Sequence, residues 1–201
     1  MKTITHTNPN GKTVQVSVGE NVTIGKNANI SWNVTIGSYS TIGKNANISW
    51  NVTIGSHSTI GEHATIGKNA IVSKNSYIGR SSNIGDGSYI GKGSNIGKNV
   101  TICKNVTIVS HSTIGKNVTI GSYSTIGEHA NISENAIIDY GVTIGSYVTI
   151  DLYSYIGSHS TISWNVTISW NVTIGENVTI GENVTIDRDA TIAPGSIVGS
   201  K

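Results

Sequence analysis

Aliphatic residues recur at every sixth position of this chain: Val18, Ile24, Ile30, Ile36 and onward without a break to Ile186, Ile192 and Val198. No insertion or deletion shifts the phase. With the aliphatic residue as position one, position two is mostly Gly and position three is polar or variable. Position four is mostly Asn, with His, Tyr or Gly substituting; position five holds only Ala, Val or Ser; position six is usually Thr. A period of six fits neither the 3.6-residue helix nor a simple alternating strand. It fits a short strand followed by a corner. Positions five and one are two residues apart and face one side of an extended segment, so the intervening Thr faces out. Each strand then gives the interior one small and one large apolar side chain. Positions two to four make the bend, and position four carries residues that tolerate positive φ. Tyr39, Tyr123, Tyr147 and Tyr153 sit less easily there.

Stretches such as IGKNVTICKNVT and ISWNVTIGENVTIGENVT resemble the hexapeptide-repeat family. The resemblance covers residues 18 to 198. It implies an all-β, left-handed parallel β-helix, a triangular solenoid with three hexapeptides per coil and about ten coils. Residues 18 apart then stack, and the prism is roughly 48 Å long at about 4.8 Å per coil. Handedness comes from the family, since most parallel crossovers are right-handed. Residues 1–17 break the hexad. They alternate instead, with Asn8-Pro9-Asn10-Gly11 as a turn signal, and read as an N-terminal capping strand or hairpin. Residues 18–201 read as the uninterrupted repeat. After Ile197-Val198 no cap is expected, which leaves an edge blunted only by Pro194.

The composition narrows the class. Among 201 residues there is no Phe, one Met and one Cys, and 12% are charged. This is not a disordered acidic or basic chain. No apolar run approaches the roughly 20 residues of a membrane span, so no membrane partner is expected. No secretory h-region is visible, which makes a cytoplasmic location the default expectation. Cys103 alone supports neither a disulfide framework nor a multi-cysteine metal knot. Charge is divided along the axis: residues 1–120 carry 11 Lys+Arg against 3 Asp+Glu, residues 121–201 carry 2 against 8. That division suggests a homo-oligomer, either a trimer or an end-to-end or antiparallel assembly steered by opposite charge.

Few residues point to chemistry. Members of the hexapeptide family are commonly acyltransferases or γ-type carbonic anhydrases, and the resemblance implies working histidines at position three or on loops extruded between coils. Here no loop is extruded. His57, His63, His111, His129 and His159 all occupy position four, where they alternate with Asn and Gly. That pattern reads as corner geometry rather than general-base work. His111 and His129 stack 18 apart, but two imidazoles fall short of the three protein ligands of a catalytic zinc. Cys103, at position two, has no histidine partner, and the glycines open no helix that could cradle phosphate. No catalytic residue, metal or cofactor is therefore expected.

Two surfaces stand out as binding candidates. Trp32, Trp50, Trp164 and Trp170 all lie at position three, on corners, as an interface or a sugar-stacking ledge. Thr107, Thr125, Thr143, Thr161 and Thr179 fall at position six on one face through five successive coils. Insect antifreeze proteins that resemble this fold carry two Thr ranks, whereas here the second rank is Gly, Ser or Asp. Lys68, Lys74, Arg80, Lys92, Lys98, Lys104 and Lys116 lie on different corners without an aromatic platform, so nucleic acid is not an expected partner. The expectation is a non-enzymatic structural or interaction solenoid that self-associates. The alternatives are ice or carbohydrate binding through the Thr ranks and Trp corners, or an acyltransferase-like enzyme with an inter-subunit site. Near-identical blocks, such as IGKNANISWNVTIGS at Ile24 and again at Ile42, point to recent duplication or deliberate design.

Overall fold

A computed structural model describes residues 1–199, and all of its regular elements are strands. Two six-residue strands come first, β1 (Lys2–Thr7) and β2 (Thr13–Val18). Two-residue strands then run from β3 (Thr23–Ile24) to β32 (Ile197–Val198), each made of positions six and one of a hexad. They are dealt in rotation, ten to each of three sheets, and β1 and β2 extend one sheet to twelve strands. From β2 onward each strand pairs in parallel with the strand three places on, so residue i lies beside i+18. Ile66 is beside Ile84, and Ile84 beside Ile102. The chain winds as a left-handed parallel β-helix of about ten turns.

The backbone explains why so short a strand suffices. Thr101 N–H donates to Val118 O and Cys103 N–H to Ile120 O of the next coil, both at 2.9 Å. The corner is tied in the opposite direction, with Asn117 N–H donating to Lys98 O of the preceding coil at 3.0 Å. Strand and corner amides thus both find partners in adjacent coils, as a backbone away from water requires.

The interior is a column of isoleucines, from Ile30 to Ile180 essentially inaccessible to solvent wherever the position is Ile. Burying each such side chain stabilises the fold by about 1.5–3 kcal/mol. Position five fills the rest with Ala, Val or Ser. The buried serines are not a defect. Ser88 Oγ donates to Cys103 O at 2.9 Å and accepts from Val106 N–H at 3.2 Å. Ser112 Oγ likewise donates to Gly127 O at 2.7 Å. Among the described residues no buried side-chain polar atom lacks a partner.

Every position-four residue has positive φ, the four tyrosines included: Tyr39 59°, Tyr123 63°, Tyr147 59° and Tyr153 60°. The left-handed conformation costs a non-glycine residue about 1–2 kcal/mol. It is held by the corner hydrogen bond, such as Tyr147 N–H to Glu128 O at 2.9 Å. The ring itself meets no steric barrier because it projects into solvent.

At the N-terminus β1 and β2 form an antiparallel hairpin, Lys2 opposite Val18 and Thr7 opposite Thr13. β2 then pairs in parallel with β5 (Thr35–Ile36), so it belongs to the helix as well as the hairpin. Beyond β1 the side chain of Asn8 imitates a missing strand. Its Nδ2 donates to Ile30 O at 2.9 Å and its Oδ1 accepts from Ile30 N–H at 2.8 Å. His6 Nε2 donates to Ala28 O at 2.9 Å. Together they clasp β4 (Asn29–Ile30), the first strand of its sheet.

Candidate functional site

Because the interior repeats, whatever distinguishes one coil from another lies on the three edges and three faces. The first edge carries position-three and position-four pairs from Glu20-Asn21 to Glu182-Asn183, the second from Lys26-Asn27 to Arg188-Asp189, and the third from Trp32-Asn33 to Pro194-Gly195. Corner hydrogen bonds tie each pair to the next coil: Ser81 N–H to Glu62 O, Asn99 N–H to Arg80 O and Asn171 N–H to Leu152 O, for example.

The first edge gathers three of the five imidazoles in the coils, His57, His111 and His129. Tyr39 and His57 stack with ring centroids 5.0 Å apart, His111 and His129 at 5.3 Å, and His129 and Tyr147 at 5.1 Å. Glu128 lies beside the series, its Oε1 3.9 Å from His129 Nε2. Gly93 precedes His111 on this edge, and a Cβ there would stand 2.8 Å from His111 Nδ1. The imidazole of His111 therefore packs against the bare glycine, in space that a side chain there would contest. His63 lies on the second edge and His159 on the third, where it meets Tyr140 edge-on at 5.3 Å. Among the described residues no three His, Cys, Asp or Glu side chains converge as a metal site.

Asp139 forms a second polar centre. It accepts from Tyr140 N–H at 2.7 Å and from Tyr155 Oη–H at 2.9 Å. The backbone bond from Tyr140, and then the Tyr155 hydroxyl, hold its carboxyl below the usual carboxylate range, and the same bond raises Tyr155 above the usual phenol range. Cys103 is half-buried in the same column, two coils before Asp139 with Gly121 between them.

Of the candidate surfaces, Trp32 and Trp50 stack face to face at 5.4 Å and 4°. One face of each indole is thus covered by the other, so a flat ligand can reach only the outer faces of the pair. Trp164 and Trp170 fall on different edges and do not join them. The threonine rank is in register, Thr107 beside Thr125, Thr125 beside Thr143, Thr143 beside Thr161 and Thr161 beside Thr179. Thr107 and Thr125 are only partly exposed, while Thr143, Thr161 and Thr179 are open to solvent. Asparagine corners form side-chain ladders, Asn33 to Asn51 at 2.6 Å and Asn51 to Asn69 at 2.8 Å.

Two features escaped the sequence reading. The seven cations named above do divide among three edges, but Arg80, Lys98 and Lys116 are consecutive on the second edge, which also carries Lys26 and Lys44. Beside that edge an open groove of about 420 Å3 is lined by Thr41, Gly43, Lys44, Thr59, Tyr77 and Arg80. Counting position three in steps of 18 would have found the run. The tyrosines beside the histidines could have been found the same way at position four.

The architecture is shared with solved enzymes. UDP-N-acetylglucosamine acyltransferase of Francisella novicida superimposes with a TM-score of 0.67 at 23% identity, covering 84% of this chain and 62% of the enzyme. LpxA of Acinetobacter baumannii gives 0.56 at 20% identity over 85% of this chain and 68% of its own. UDP-N-acetylglucosamine O-acyltransferase of Moraxella catarrhalis gives 0.51 at 22% over 80% and 68%. The chain thus spans less than two thirds of the Francisella enzyme, and at these identities the likeness is one of fold. No curated protein sequence matches it. The family model of the GMPPB C-terminal domain matches twice, over residues 13–110 and 98–201, and the chain belongs to that family.

Proposed function

We propose that this chain is a hexapeptide-type acyltransferase acting as a homo-oligomer, with the transfer site completed where the histidine edge meets a second protomer. The acceptor class is a nucleotide-linked amino sugar, following the Francisella, Acinetobacter and Moraxella enzymes that share the fold. The observation that carries this reading is the pair His111 and His129, stacked, exposed and flanked by Glu128. An exposed imidazole is placed to take a proton from an acceptor hydroxyl or amine as it attacks a thioester carbonyl, and to hand that proton to the coenzyme A thiolate as the C–S bond breaks. A single protomer offers one ridge to the substrate, so walls that exclude water must come from a neighbour.

A second reading is favoured by one specific observation: thirty successive corners close without an insertion. A non-enzymatic scaffold needs nothing more than that. One experiment separates the two. The full chain is incubated with acetyl-coenzyme A and UDP-N-acetylglucosamine, and the sugar is weighed by mass spectrometry. An acylated product whose rate falls about 100-fold or more in His111→Ala or His129→Ala supports the enzyme. Absence of both product and calorimetric acetyl-coenzyme A binding leaves the scaffold.

A further inference from the structure

The second edge is a continuous ridge. Strands pair i with i+18 from coil to coil without a shift, so position three of each coil follows that of the coil before it along one edge. From the third coil its position-three residues run Glu62, Arg80, Lys98 and Lys116, and then Glu134, Leu152, Trp170 and Arg188. Among the described residues only Lys116 and Glu134 of these form an ion pair within the chain, at 3.6 Å.

We propose that this edge is a self-recognition surface on which a second copy of the chain docks antiparallel about a two-fold axis. The register places the axis between Lys116 and Glu134. Glu62 of one copy then faces Arg188 of the other, and Arg80 faces Trp170, a guanidinium against an exposed indole. Lys98 lays its stem on exposed Leu152, its ammonium within reach of Asp151 beside it. Lys116 faces Glu134, and symmetry turns the two intrachain pairs into an alternating square of four charges. Each contact occurs twice. Trp170 and Leu152, otherwise apolar side chains on a polar ridge, are covered.

The pattern also rejects its neighbours. A slip of one coil in one direction sets Lys116 against its own copy on the axis and Lys44 against Arg188. A slip in the other sets Glu134 against itself and Arg80 against Arg188. Like charges brought together in this way define register. Asp187 and Asp189 flank Arg188 at the level of the second copy's Glu62, one coil from its Lys44. The contact is a strip of eight coils, about 38 Å long and narrow. It falls in the small-interface class below about 1,200 Å2, so the dimer is weak and sensitive to salt. It uses an edge other than the histidine edge, and its failure leaves the acyl-transfer reading untouched.

The test is a charge swap read by sedimentation equilibrium at low salt. Glu62 and Arg188 lie seven coils apart in one chain, about 34 Å, so only an intermolecular contact can couple them. Glu62→Arg and Arg188→Glu should each weaken dimerisation about 10-fold or more, and the double variant should recover to within about 3-fold of the parent. Raising salt to 0.5 M should weaken the parent comparably. A parent chain that is monomeric at millimolar concentration, or a double variant no tighter than the singles, overturns the proposal. So does a monomer that binds heparin through Lys44, Arg80 and Lys98, which would assign the edge to polyanions.

Discussion

The inside and the corners of the same coil obey opposite rules. Ile84, Ile102 and Ile120 are the same residue in the same environment, each fully buried and each over the next. One corner away, position three of those coils reads Asp86, Lys104 and Ser122, three chemistries in succession. The interior rungs are interchangeable because each must complete the same ladder with its neighbours. The corner side chains are free to differ because the backbone there is already satisfied, by the position-four N–H and the position-three carbonyl. The contrast teaches where a repeat protein stores stability and where it stores identity. Nearest-neighbour coupling belongs to the rungs, and recognition to the edges.

The sharpest way to break the contrast is to give a rung a corner's chemistry. Ile102→Asp places an unpaired charge between Ile84 and Ile120, and should cost more than about 4–5 kcal/mol; in denaturant titration the chain should lose its single cooperative transition. A melting curve like the parent's would refute the buried register. Next comes the clasp. Asn8→Ala orphans the Ile30 N–H and C=O at the start of a sheet, a loss of about 2–3 kcal/mol, and hydrogen exchange should quicken in the first coil while the central coils stay protected.

A corner should tolerate chemistry but not shape. Tyr147→Val puts a β-branched residue at φ 59° and should destabilise by about 1–2 kcal/mol more than Tyr147→Asn, measured by thermal unfolding. Equal melting temperatures for the two variants would mean that the left-handed corner is not restrictive. The smallest effect comes from Asp139. Its carboxyl is held below its ordinary range by the Tyr140 and Tyr155 bonds, so it contributes stability above the unfolded-state carboxylate range and loses it as pH falls through the folded value. The gap between the parent and Asp139→Asn should therefore be present at pH 7 and close on acidification. A gap independent of pH would assign the effect to packing.

Much of this was legible in the residues, because one rule repeats through thirty hexads. The rungs, the inward small residue at position five and the outward Thr at position six all follow from alternation along a short strand. The corner tyrosines were less legible. Propensity alone disfavours their conformation, and the compensating bonds come from the preceding coil, 19 residues back. The Asn8 clasp was hidden for a related reason. It joins residues 22 apart, a separation that belongs to neither the hairpin nor the 18-residue stack. The edges were readable in principle, yet lysines that look scattered along the chain fall into line only when position three is taken every eighteenth residue.

The unshifted 18-residue register that stacks Trp32 on Trp50 makes the molecule a graduated rod. Eighteen more residues would add one notch of about 4.8 Å without rotating any mark already engraved on its sides. Length and labelling are thereby separable, and a descendant could grow by duplication while every older address kept its bearing.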